Sequence, residues 1–413
     1  MKDTAKTLAG QGVTYALQLT FTVIVARLLG PASQGEFALL RTATYLGEPL
    51  LWLGLTSGLP YLVAKDSAKY HDPLLKAAAG YLAVALLVIS ATLSLLSDHP
   101  GRPGALGIVA GHRGTFLLWL ASLALLQLLQ STFLAQQRFG DYNTAFILNA
   151  AVAFPALLAL SLVQGVNVTT AAGASIFANV VALAYAVRAH RAHLDSARRS
   201  TVSLLPAVRE AYAIGIKGYV SGIAFLVLYR LDFFFVAQFL GNDALGVYAV
   251  AVFVVEGMQK VPDWLALMLT PQVAAGRDPD GRLARRYATG ALASVATLGI
   301  LLASVTAWQP GILGLVLGTG YERVAALLVL LLPRAMMHAV MATHAGYLAG
   351  RAYTLYHPLA GLAGLAVLCL VDVVAIPRYE LKGAVGGITA AYAVTTAVMW
   401  LGYRAQRLRV SAA

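Results

Sequence analysis

Two runs of side chains in an otherwise apolar sequence have the types and spacing to bind something. Arg41, Tyr45, Glu48 and Trp52 stand at i, i+4, i+7 and i+11, one face of a helix. Glu256, Lys260 and Asp263 stand at i, i+4 and i+7. Gln11, Tyr15, Gln18 and Thr22 make a third stripe, polar and uncharged. A guanidinium offers a planar fork of donors to phosphate or carboxylate, and an ammonium offers a compact charge. Six cations fall within or at the edge of apolar stretches: Arg27, Arg41, Lys217, Arg230, Lys260 and Arg334. At the centre of a bilayer each would cost about 2.5–3.5 kcal/mol on insertion scales. Snorkelling near helix ends relieves Arg27 and Arg41. For the other four a wet interior is the better home. Four acids, Glu48, Asp232, Glu256 and Asp263, leave a surplus of two positive charges, which suits an anionic headgroup. The candidates to line such a cavity are therefore Arg27, Arg41, Tyr45, Glu48, Lys217, Arg230, Asp232, Glu256, Lys260 and Arg334. The same spacings allow pairing within a helix, Arg41 with Glu48 and Glu256 with Lys260. Arg334 and His338, one turn apart behind Pro333, read either as cavity wall or as packing.

The elements that must position these residues are membrane helices. Hydrophobic residues make up 59% of the 413 and charged residues 12%, about half the charge of a soluble globular chain. A spanning helix needs about 20 mostly apolar residues. Twelve stretches qualify: 8–30, 37–63, 74–96, 114–135, 142–164, 168–189, 211–240, 244–270, 287–308, 323–350, 354–376 and 383–403. The polar segments 188–210 and 274–286 are the longest, and neither is long enough for a catalytic domain. No cleavable signal peptide is expected, because the first apolar stretch is too long. With the N-terminus in the cytoplasm, nineteen of the 30 Lys and Arg lie on the cytoplasmic side. Arg102, Arg113, Arg323, Arg378 and Lys382 lie opposite, so both termini are expected inside. The net charge of +12 reflects this bias and is scattered over separate loops, which argues against nucleic acid. The basic segment 188–210 either touches anionic lipid headgroups or simply sets topology. The single cysteine, Cys369, excludes an internal disulfide and reads as packing. Gly218/Gly222 and Gly383/Gly387 have the spacing of helix packing. No P-loop, His/Cys cluster or GxSxG is present, so no cofactor, metal or enzymatic nucleophile is expected.

The chain also repeats itself. VARLLGPASQGEFA (25–38) and VAQFLGNDALGVYA (236–249) share six of fourteen residues at a shift of 211. Gly30 falls on Gly241, Gly35 on Gly246 and Pro60 on Pro271. The charges do not repeat: Arg41 falls on Val252 and Arg230 on Leu19. Six helices followed by six in the same orientation predict a pseudo-two-fold axis along the membrane normal. The expected fold is an all-α integral membrane protein of about 12 transmembrane helices. They would form two pseudo-symmetric six-helix lobes, 1–200 and 201–413, around a central cavity with one asymmetric site.

Three long stretches carry a family resemblance. LTFTVIVARLLGPASQGEFALLRTATYLGEPLLWLGLTSGLPYLV resembles the N-terminus of the polysaccharide-transport proteins, the O-antigen-type lipid-linked oligosaccharide flippases. Their superfamily includes the MATE exporters and the peptidoglycan-precursor flippases. YRLDFFFVAQFLGNDALGVYAVAVFVVEGMQKVPDWLALMLTPQVA resembles the start of that family's second lobe, and IPRYELKGAVGGITAAYAV its last helix pair. The resemblance implies a multi-pass protein of the bacterial inner membrane that flips a polyprenyl-diphosphate-linked oligosaccharide for O-antigen, capsule or exopolysaccharide assembly. Its partners would be that cargo, membrane lipids and the polysaccharide polymerase machinery. Two alternatives stand beside it. A MATE-like cation or drug antiporter would favour an acidic cavity. A membrane glycan polymerase or ligase would offer a long external loop.

Overall fold

The computed structural model describes residues 2–97, 104–192, 203–278, 280–309, 311–352 and 355–412, without the side chains of 2–9, 67, 68, 71, 72, 96, 97, 217, 221 and 409–412. Among the described residues all regular structure is helical. In chain order the helices are α1 (Lys2–Trp52), α2 (Leu55–Lys65), α3 (Ser67–Ser97), α4 (Ala105–Gly111), α5 (Arg113–Ala135), α6 (Phe139–Gln164) and α7 (Val168–Arg191). They continue with α8 (Leu204–Leu228), α9 (Leu231–Ala274), α10 (Arg282–Trp308), α11 (Ile312–Leu317), α12 (Val324–Gly350) and α13 (Tyr356–Ala412).

Nine stretches of described helix are long and apolar enough to cross a membrane, and three of them, of 43, 57 and 53 residues, are about twice the length one crossing needs. Each of the three folds back on itself. Within α1, Phe21 and Phe37 lie 6.4 Å apart, where a straight helix would separate them by about 24 Å. The reversal falls at Gly30, whose φ of 73° favours glycine. Within α9, Tyr248 reaches Asp232 at 2.6 Å, and the break is Gly241 at φ 82°. Within α13, Thr395 meets the Ala360 carbonyl at 3.4 Å, and the break is Glu380 at φ 51°. Nine stretches thus supply twelve apolar crossings. Two expected spans are interrupted: 37–63 at Leu53–Gly54, and 211–240 at Tyr229–Arg230, between α8 and α9. Outward-facing apolar side chains such as Leu162 (89% exposed) and Leu370 (73%) suit lipid contact.

The chain packs as two compact units. Unit 1 holds residues 1–29 and 36–223. The division falls inside α8, beyond residue 200, because the first turns of α8 press on α2. Gly215 lies against the Gly54 carbonyl, and Gly58 against that of Ala211, too close for a side chain. Phe37 stacks on Trp119 at 5.7 Å in a core with Leu40, Trp52, Leu59 and Leu120. Asn167 caps α7: its Oδ1 accepts from the Thr170 amide at 2.9 Å, while Thr170 Oγ1 accepts from its amide at 2.8 Å.

Unit 2 holds residues 30–35 and 224–413. α12 packs on α9, α10 and α13. Gly383 and Gly387 press the second half of α13 on Ala375 and Asp372 of the first, as their spacing predicts. The pair Gly218/Gly222 departs from that expectation: a Cβ on either would meet nothing within 4 Å among the described residues.

Candidate functional site

In unit 1, Arg41 leaves the second half of α1 and reaches the first half. Its Nη1 donates to Thr22 Oγ1 at 3.3 Å, and its Cζ lies 5.7 Å from the Tyr45 ring centroid, a cation–π arrangement. Arg41 and Tyr45 line a partly open pocket, with Gln18 and Phe21 from α1, Trp119 from α5, Asn149 from α6, and Ser175 and Asn179 from α7. A relay of polar groups runs along its wall. Asn149 Nδ2 donates to Asn179 Oδ1 at 2.7 Å, and Asn179 Nδ2 donates to Ser122 Oγ at 3.1 Å. Ser122 in turn donates to the Trp119 carbonyl at 2.9 Å. The other half of the stripe serves the core: Glu48 accepts from Nε1 of the wholly buried Trp52 at 2.8 Å.

In unit 2 the charges form a connected web. Arg230, at the break between α8 and α9, grips Glu256 of α9 with two parallel hydrogen bonds of 2.6 and 3.0 Å. Glu256 also faces Arg334 of α12 at 3.8 Å, so one carboxylate serves two guanidiniums. Arg334 is 1% exposed and lies over the Tyr392 ring, with Cζ 5.0 Å from its centroid. Its Nε and Nη1 have no hydrogen-bond partner among the described residues. One turn beyond Glu256, Lys260 Nζ stands 3.7 Å from Asp263, which also takes His338 Nε2 at 2.7 Å. Lys260 and Asp263 remain 39% and 40% exposed, and Arg230 28%. Asp232 is fully buried and accepts from Tyr248 and from the Phe233 amide. Asp372, on the first half of α13, is equally buried, and neither carboxylate oxygen has a partner among the described residues. No three His, Cys, Asp or Glu side chains gather as a metal site among the described residues.

The ten candidates thus fall into distinct settings. Arg41 and Tyr45 share the pocket of unit 1, and Glu48 is bonded to Trp52. Arg230, Glu256 and Arg334 form one cluster in unit 2, and Lys260 lies beside it on α9. Asp232 is interior. Arg27 is exposed, three residues before the Gly30 break, and Lys217 lies on α8 with its side chain outside the described residues. Sequence reasoning passed over Trp119, Asn149 and Asn179, because each is a lone polar or aromatic residue on its own apolar helix and makes no stripe. It also omitted Asp372 from the embedded acids, although the residue sits in the apolar run around Cys369. With Asp372 included, the surplus falls from two positive charges to one.

A sequence profile described as polysaccharide biosynthesis protein matches residues 1–259. No curated protein matches the chain in sequence. The lipid II flippase MurJ, in an inward closed conformation, shares the fold with a TM-score of 0.79 at 9% identity, over 98% of this chain and 90% of that one. An inward-facing multidrug resistance MATE family transporter of the MOP superfamily gives 0.68 at 12% identity, over 97% and 95%. A MOP superfamily transporter from Pyrococcus furiosus gives 0.61 at 13%, over 99% and 94%. At these identities the likeness is one of fold, that of an all-α, multi-pass membrane protein.

Proposed function

The chain belongs to the family of polysaccharide biosynthesis proteins, and from that premise we propose that it flips a polyprenyl-diphosphate-linked oligosaccharide across the bacterial inner membrane. The product would feed a surface polysaccharide such as O-antigen, capsule or exopolysaccharide, with the polymerase machinery as a downstream partner. The shared fold of a lipid II flippase supports this reading. So does the positive-inside bias, which puts both termini in the cytoplasm.

The observation that carries the proposal is the partial exposure of Arg230 and Lys260 on segments that otherwise cross lipid, together with Arg41 in its pocket. Cations facing hydrocarbon would be expelled to the membrane surface, so these groups face water and serve an anion. A diphosphate offers oxygens to both the fork of Arg230 and the point charge of Lys260. Glu256 neutralises Arg230 and Arg334 when no cargo is bound, which lets the headgroup leave again. The prenyl tail stays in lipid. An antiporter for organic cations would need acids where this pocket offers Arg41.

The test is reconstitution of the full chain in proteoliposomes with a labelled polyprenyl-diphosphate oligosaccharide, whose exposure is followed with a membrane-impermeant reagent. The wild type should flip it. Arg41→Gln and Lys260→Gln should slow flipping by about tenfold or more, the scale of one lost charge-assisted contact, while the protein stays in the membrane. A wild type that leaves the label on its original side, or variants that flip at the wild-type rate, would contradict the proposal.

A further inference from the structure

Phosphate recognition needs cations, and the pocket of unit 1 has one among its lining residues, Arg41. Its other walls carry a different chemistry. Tyr45 and Trp119 are aromatic, and Gln18, Asn149 and Asn179 are amides. We propose that this pocket binds one sugar ring of the cargo and prefers a ring that bears a carboxylate. The identity of the cargo rests on the flippase reading, but the chemistry of the pocket does not.

A sugar ring has apolar C–H faces and an edge of hydroxyls. Each hydroxyl both donates and accepts, and so does each side-chain amide, which makes amides the matching surface. Tyrosine and tryptophan bury an apolar face while keeping a polar tip available. The amides are held in place beforehand. Asn149, Asn179 and Ser122 are tied in series at 2.7 and 3.1 Å and end on the backbone at Trp119. Asn179 is 4% exposed, so little side-chain freedom is left to lose on binding. Asn149 and Asn179 also bridge α6 and α7, and one helix–helix hydrogen bond would do for packing. It would not call for Gln18, Tyr45 and Arg41 to line the same pocket.

Arg41 sets the charge preference. Thr22 and the Tyr45 ring hold its guanidinium beside the pocket, where a fork of donors can meet a ring carboxylate. Among the described residues no Asp or Glu lines the pocket, so an amino sugar would bring an ammonium to a wall without a counter-charge.

The test uses the full chain in detergent micelles, with methyl glucuronide, methyl glucoside and methyl glucosaminide at millimolar concentrations, read by saturation-transfer NMR and tryptophan fluorescence. The glucuronide should bind about tenfold tighter than the glucoside, and the glucosaminide weakest. Arg41→Gln should remove the advantage of the glucuronide over the glucoside. Asn149→Leu, checked for an unchanged melting temperature, should weaken both. The order of the three sugars on the wild type is informative even if a variant misfolds. No saturable binding, equal affinity for glucuronide and glucosaminide, or an advantage that survives Arg41→Gln would overturn the subsite. A protein that flips lipid-linked cargo yet ignores all three sugars would overturn the subsite alone. One that binds the glucuronide in the expected order but never flips would overturn the flippase reading alone.

Discussion

Gly35 and Gly246 meet backbone to backbone. A Cβ on Gly35 would strike the Asn242 carbonyl and the Gly246 amide, and a Cβ on Gly246 would strike the Pro31 carbonyl and the Gly35 amide. The 211-residue shift of the sequence repeat carries 31 to 242 and 35 to 246, so it exchanges the two halves of this contact. The contact is self-complementary in the way of a two-fold interface. Each copy of the motif keeps its glycine because the other copy's backbone occupies the space a side chain would need.

Gly35→Ala and Gly246→Ala should therefore each destabilise the protein by about 1–3 kcal/mol or more, since the struck atoms are backbone and cannot rotate away. Gly290→Ala is the control. It lies in α10 with nothing within 4 Å of a built Cβ, and should stabilise by about 0.5–1 kcal/mol through helix propensity. Thermal unfolding in detergent reads all three, and equal midpoints for Gly35→Ala and Gly290→Ala would refute the packing account.

Removing Glu256 should be worse than removing its partner as well. Glu256→Gln leaves Arg230 and Arg334 facing each other without the shared carboxylate, a loss of about 3 kcal/mol for a mostly buried pair. The double variant Arg230→Gln/Glu256→Gln should recover part of that loss. A double-mutant cycle on melting temperatures decides it, and strict additivity would mean that the two side chains do not cooperate.

Single cysteines at Ser33 and Asp243, in a background without Cys369, should both react with an impermeant thiol reagent from outside the cell. Cysteines at Gln136 and Ala352 should react only after the cytoplasmic side is opened. Labelling of positions 33 and 243 from opposite sides would rule out a parallel repeat.

A charge-neutral substitution should also separate the ligand classes. Lys260→Gln should weaken binding of a polyprenyl-diphosphate sugar by about tenfold, and that of the corresponding neutral glycolipid by far less. Equal losses for both ligands in a reconstituted binding assay would reject diphosphate recognition at this side chain.

The sequence by itself determined that the chain is a bundle of membrane helices and where it crosses. Those facts depend on hydropathy summed over about 20 residues, and no neighbour can overturn a sum of that size. It also exposed the repeat, because the glycines at 35 and 246 are demanded by backbone geometry. Periodicity found Arg41 and Tyr45 on one face, and Glu256 with Lys260 on another. Which partner each charge takes was settled only in three dimensions. Glu256 turns to Arg230 and Arg334, 26 residues before it and 78 after, since segments folded back at Gly241 and packed side by side bring remote residues closer than helical neighbours. The aromatic and amide wall of the unit 1 pocket was illegible for the same reason. Trp119, Asn149 and Asn179 each stand alone on an apolar helix, and a single polar residue has no period to detect. Only packing of α5, α6 and α7 against α1 makes them one surface.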